Sequence, residues 1–297
     1  MKKYIFLLFV TFFLASCTSQ LNVKQFSTGK FKLNTEEACF NFSNLSSDDQ
    51  KKADSLLHKA LHEEALHTLV STIKPMSDVE SFKWKIDVQD TLYNSEVVSI
   101  NQAINYKNEY EQIERISEVF SCGPLSSAVF PFENLYNGER YVQFRIYRTD
   151  SINEMVESHP EFWSRWAFVK ESNPAIMISV IEYESRLNRY RGYGYLYGYP
   201  DHAVDFFVEA AQQEDESGKF VERDFINLPV VSGESGRFVY AVKKEHTLTP
   251  ADKVLHKKAQ SNVNLYLNKI QNYHHKNGKV DNVAFLRELY KQEGWIH

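Results

Sequence analysis

Tyr141-Val142-Gln143-Phe144-Arg145-Ile146-Tyr147-Arg148 is the stretch on which the fold turns. Val142, Phe144 and Ile146 share one parity and Gln143, Arg145 and Tyr147 the other, the period-two pattern of a β-strand. Just before it, Ala128-Val129-Phe130 runs into Pro131 as a second short strand, and Phe82-Lys83-Trp84-Lys85-Ile86 alternates as a third. Beyond Arg148 the period changes. Ser151 to Gln213 is largely helical in character, with breaks near Pro160, Pro174 and Pro200. Strands therefore neighbour strands and helices neighbour helices, without the alternation of β-α-β units. That order predicts an α+β fold, one predominantly helical domain with short antiparallel strand pairs.

The flanks extend the same pattern. On the amino-terminal side Lys30-Phe31-Lys32-Leu33 reads as a short strand. Ser47-Asp48-Asp49-Gln50 has the form of a capping box and opens a helix to about Val70. Its apolar stripe, Ala53, Leu56, Leu57 and Ala60, then drifts to Ala65, Leu66, Leu69 and Val70. A second helix is expected from about Val97 to Phe120, closed by Gly123-Pro124. On the carboxyl-terminal side, Phe225 to Val231 and Arg237 to Val242 pair as a hairpin through Ser232-Gly233-Glu234-Ser235-Gly236. Thr249-Pro250 starts a long helix to about His275, and a short one spans Asp281 to Tyr290.

The first seventeen residues have a different purpose. Met1-Lys2-Lys3 precedes a run from Tyr4 to Ala15 that is apolar except at Thr11, the layout of a secretory signal peptide. The run is too short to cross a bilayer, which takes about 20 apolar residues. Leu14-Ala15-Ser16-Cys17 resembles the lipobox of bacterial lipoproteins, and the resemblance covers Met1 to Cys17 only. It implies removal of residues 1–16, lipidation of Cys17, and attachment to a membrane of the cell envelope. In a host with two membranes, Thr18 rather than Asp after the cysteine leans toward the outer one. Residues 17–30 then form a polar, lipidated tether and residues 31–297 a single globular domain.

Two of the 34 basic residues lie in the signal, so the remaining 281 residues carry 32 basic against 39 acidic groups, a formal charge of −7. An acidic chain without a basic patch is a poor partner for nucleic acid. Two cysteines remain, Cys39 and Cys122. An oxidising compartment favours a disulfide between them. Two buried free thiols are the other reading, and the sequence leaves both open.

Motifs that carry chemistry are approached and missed. His62-Glu63-Glu64-Ala65-Leu66-His67 puts its histidines five apart, where a shared zinc needs four. His58 and His62 have the spacing but Lys59 replaces the glutamate base. Gly233-Glu234-Ser235-Gly236-Arg237 lacks the last glycine of a nucleophile elbow. Gly192, Gly194 and Gly198 are misspaced for a dinucleotide fingerprint. No catalytic residue, metal ligand or cofactor is assigned from these.

The segment from Tyr183 to Tyr199 is the most unusual, with six tyrosines beside Arg186, Arg189 and Arg191. As a helix it could be core, its glycines admitting a close neighbour, or it could wall an aromatic, guanidinium-lined cleft for a glycan or an anionic ligand. Arg189, Tyr193 and His202 are the candidate binding residues, with Asp205 a candidate orienter for His202. The expectation is a membrane-anchored envelope lipoprotein that binds an unidentified ligand or partner without catalysis. A structural subunit of an envelope assembly and a glycan or peptidoglycan hydrolase are the alternatives.

Overall fold

A computed structural model describes residues 35–85, 88–90, 95–97, 100–233, 238–275 and 279–296. The signal segment, Cys17, the tether and the expected strand Lys30–Leu33 lie outside the described residues, as do residues 234–236 of the expected hairpin turn. In chain order the elements are α1 (Ser47–His62), α2 (Leu66–Val70), β1 (Met76–Lys85), β2 (Val88–Asp90), β3 (Ser95–Val97) and α3 (Ile100–Glu118). Then come β4 (Leu125–Tyr136), β5 (Glu139–Arg148), α4 (Thr149–Ser158), α5 (Pro160–Trp163), α6 (Pro174–Glu182), α7 (Arg186–Leu196) and α8 (Asp201–Ser217). The hairpin β6 (Arg223–Asn227) and β7 (Val239–Lys243), then α9 (Pro250–Ile270) and α10 (Asn282–Gln292), close the chain. This is an α+β fold.

β5 is the axis of the molecule. It is the middle strand of an antiparallel sheet ordered β1-β5-β4, with Phe82 opposite Val142 on one side and Val129 opposite Phe144 on the other. Phe144 and Ile146 face a core built with α1, α2, α3, α9 and α10, among Leu57, Leu61, Ile116, Phe120, Tyr266 and Tyr290. The opposite parity is buried as well: Gln143, Arg145 and Tyr147 are 3%, 1% and 7% exposed. Helices α4 to α8 cover that face, with Trp163, Met177, Ile181 and Leu196 packed against Tyr147 and Phe130. Alternation along β5 therefore separates two interiors rather than an interior from solvent. Pro131 lies inside β4 instead of ending it, which an edge strand tolerates, and the register slips between Pro131 and Leu135.

Several boundaries differ from the sequence reading, each for a local reason. Ser46, not Ser47, caps α1, accepting the Asp49 amide at 3.2 Å. The expected helix to Val70 breaks at Glu63, whose backbone is extended, and restarts at Leu66. The break turns Ala65, Leu66 and Leu69 into the core, resolving the drift of the apolar stripe. The long helix from Pro250 ends at Ile270, with one 3-10 turn to Tyr273. It opens with Thr249 and Asp252 capping each other reciprocally. The hairpin strands pair Arg223–Asn227 with Val239–Lys243, so each lies displaced from its expected span and the connection is longer. Cys39 and Cys122 are joined by a disulfide.

Candidate functional site

The tyrosine-rich segment runs from Tyr183, the carboxyl-terminal cap of α6, through α7 to the cap that closes it. Glycine allows two helices to close on it. A Cβ at Gly194 would sit 2.7 Å from Val204 Cγ2 of α8, and one at Gly192 would sit 2.7 Å from Ile181 Cδ1 of α6. Gly198 ends the helix in the left-handed region at φ +72°, where a Cβ would also come 2.5 Å from the Ile73 carbonyl. The Tyr199 amide donates to Gly194 O and the Gly198 amide to Tyr195 O, the pair of bonds that defines a Schellman cap.

That cap turns a row of rings toward the hairpin. Tyr193 and Tyr197 stack at 5.7 Å, Tyr197 and Tyr199 lie 5.9 Å apart, and Tyr199 meets Phe238 at 6.2 Å and Tyr240 at 5.7 Å. Between this row, α8 and the hairpin lies a cleft of about 320 Å³. Its walls are rings and aliphatic carbon: Tyr190, Tyr193, Tyr197, Tyr199 and Tyr240, with Phe207, Phe225, Val204, Val239 and Ala241. Phe225 is 59% exposed at its rim. A larger concavity of about 510 Å³ between α9 and α10 is bounded partly by exposed polar side chains such as Asn272, Glu288 and Gln292. It offers no comparable apolar face.

The hydroxyls of Tyr193 and Tyr197 are tied down behind the row. Arg145, buried on β5, donates from Nε to Asp78 Oδ1 at 2.8 Å and from Nη1 to the Tyr193 oxygen at 2.8 Å. Tyr193 in turn donates to Glu182, and Tyr197 donates to Asp78 Oδ2 at 2.9 Å. Burial is the first cause that pushes the phenols of Tyr193, Tyr197 and Tyr199 above the usual range, so all three stay neutral. Lys74, fully buried, pairs with Glu64 at 2.9 Å and lies 4.5 Å over the Tyr197 ring and 4.4 Å over Phe238. Hydrogen bonds and cation–π contacts thus fix the rings from the core side and leave their carbon faces to the cleft.

The three candidate residues do not converge. Tyr193 lines the cleft. Arg189 points to the other side of α7, donating to Glu133 and to the Glu182 carbonyl at 3.1 Å. The other two arginines are also engaged outside the cleft, Arg186 with Asp215 and Arg191 with Asp205, and no guanidinium is among the described residues that line it. His202 approaches Asp252, and Asp205, its expected orienter, belongs to Arg191. No carboxylate is among the described residues that line the cleft.

His202 enters a second cluster. On the first turn of α8, its Nε2 lies 3.2 Å from Asp252 Oδ1. His246, just past β7, puts Nε2 2.9 Å from Asp252 Oδ2. The two imidazoles are nearly parallel, 5.1 Å apart. Asp252 is 1% exposed and also accepts Tyr240 Oη at 2.5 Å and the Thr249 amide at 2.8 Å. These hydrogen bonds outweigh the effect of burial and hold its carboxyl well below the usual carboxylate range. His202, His246 and Asp252 are separated along the chain by a helix, a hairpin and a loop, so no local spacing marks them. Only the fold assembles them.

No protein-family model matches this chain, and neither a curated protein nor a solved structure gives a significant match.

Proposed function

We propose that the chain is a lipid-anchored envelope protein that binds a ligand presenting a flat apolar face, without chemical conversion, in the tyrosine-lined cleft. One observation carries the binding reading: five tyrosines line a cleft of about 320 Å³ with otherwise apolar walls, and the hydroxyls of three of them, Tyr193, Tyr197 and Tyr240, are held by buried partners. Clefts of about 300–1,000 Å³ with mostly apolar walls are the usual size and chemistry of small-molecule sites. Holding rings in place before the ligand arrives removes part of the entropic cost of binding. An anionic ligand is a poorer fit, because the three nearby arginines are paired elsewhere. The anchor rests on Leu14-Ala15-Ser16-Cys17, and the absence among the described residues of a helix able to cross a membrane is compatible with it.

A neutral naphthylamine dye that brightens in apolar surroundings tests the cleft. Phe207 and Phe225 lie at its rim and outside the hydrogen-bond network behind α7. Phe207→Ala and Phe225→Ala are expected to weaken dye binding about tenfold in combination, a loss of ~1.4 kcal/mol, with little change in melting temperature. Dye binding that is saturable and unchanged in the double variant overturns the assignment.

A further inference from the structure

We infer that His202, His246 and Asp252 form a binding site for a divalent transition-metal ion of the zinc class. Donor atoms from the three, one ring nitrogen of each histidine and a carboxylate oxygen, lie within 4.8 Å of one another. A tetrahedral ion about 2.0–2.1 Å from each donor separates them by about 3.3 Å. His202 Nε2 stands 3.2 Å from Asp252 Oδ1 and His246 Nε2 stands 2.9 Å from Oδ2. Each imidazole thus faces one oxygen of the same carboxylate, close to that spacing, and an ion held by all three engages the carboxylate through either oxygen after a small adjustment of the rings. The His202 nitrogen is the telling atom. It is buried and, although close to Oδ1, lies off the direction of a hydrogen bond, so it has no hydrogen-bond partner among the described residues. A metal at the centre of the three would use its lone pair.

The donor types select the ion. Two imidazoles and one carboxylate suit zinc, copper, nickel and cobalt, whereas magnesium and calcium prefer oxygen throughout. Each Nε2 must be free of its proton to bind, so loading leaves both rings protonated at Nδ1 and releases any Nε2 proton to water. The carboxylate is braced from behind by Tyr240 and Thr249, the kind of support that orients metal ligands. Helix N-termini oppose a cation, and α8 and α9 both begin here. The charge of Asp252, which also caps α9 with Thr249, offsets that opposition. Three protein ligands leave a fourth position for water.

The test uses the full chain in detergent, stripped with a chelator and titrated with zinc and with cobalt. One equivalent of zinc is expected to bind, and the cobalt form should show the intense visible absorption of a four-coordinate ion. His202→Ala and His246→Ala should each weaken zinc binding at least tenfold and abolish the cobalt bands, while keeping the far-ultraviolet circular dichroism of the parent. His58→Ala is the control for incidental surface binding, because His58 and His62 stack 4.0 Å apart on α1. It should change nothing. No stoichiometric zinc binding by the parent chain overturns the inference, as does binding lost in His58→Ala but retained in both other variants.

Discussion

At the scale of single residues, two positions are decided by what surrounds them. Gly194 is the contact point of α7 and α8, where any Cβ meets Val204 at 2.7 Å. Alanine gains up to about 1 kcal/mol of helix propensity over glycine, but overpacking typically costs 1–3 kcal/mol. Gly194→Ala should therefore destabilise by about 1 kcal/mol in urea unfolding, and Val204→Ala should relieve it in the double variant. Purely additive losses would mean that the clash is not with Val204. His67 is the second position. It is fully buried, with Nε2 at 2.9 Å from Pro229 O and Nδ1 at 3.1 Å from Asn262 Nδ2, partners that suit a neutral ring. Burial, and then the charge of Lys74, lowers its pKa from 6.5 to about 4. The unfolded chain takes up this proton first as pH falls. Stability is therefore complete above about pH 6.5 and declines toward pH 4, by about 3 kcal/mol in all. Urea midpoints from pH 7 to 4 should fall less steeply in His67→Gln; equal slopes would exclude His67 as the titrating group.

At the scale of elements, periodicity read from the chain located most helices and strands but not what covered them. β5 was legible as a strand from Val142, Phe144 and Ile146, and the α+β order followed from its neighbours. That its polar parity is also buried was not legible, because Arg145 finds Asp78 and Tyr193, which lie 67 and 48 residues away. For the same reason the tyrosine-rich wall of the cleft could be singled out, with Tyr190, Tyr193, Tyr197 and Tyr199, while its opposite wall could not. Tyr240 and Phe225 come from a hairpin that the local pattern does not connect to α7. The helix start is a smaller case, since Ser46 and Ser47 are both serines and composition does not choose between them. The structure gives the Asp49 amide to Ser46 Oγ, and this places Asp49 to accept Gln112 Nε2 of α3 at 2.6 Å. Ser46→Ala should then cost about 1 kcal/mol, whereas Ser47→Ala should stay within about 0.5 kcal/mol. Equal losses measured by chemical denaturation would mean that the cap is shared.

At the scale of the whole molecule, the folded unit is cross-linked close to where the described chain begins. The described chain begins at Thr35, and by Phe40 it is already core, with Cys39 and Phe40 both fully buried. Arg287 of α10 donates to the Cys39 carbonyl at 2.8 Å, and the Phe40 amide donates to Ser121 O at 3.2 Å. The disulfide closes an 83-residue span across this junction. A loop of that size restricts the unfolded chain by roughly 4–5 kcal/mol on the chain-entropy model. A count of reactive thiols on the membrane-extracted chain tests the cross-link and the proposed lipid at Cys17 together. Unfolded without reductant, it should take up no alkylating label, since Cys39 and Cys122 are bonded and a lipidated Cys17 has no thiol. After reduction it should take up two equivalents. Label on Cys39 and Cys122 before reduction would remove the disulfide, and a third equivalent after it would remove the lipid from Cys17. Replacing both Cys39 and Cys122 by serine should lower stability by about 2–5 kcal/mol while leaving any membrane attachment through the proposed lipid at Cys17 intact, because neither cysteine belongs to the lipobox.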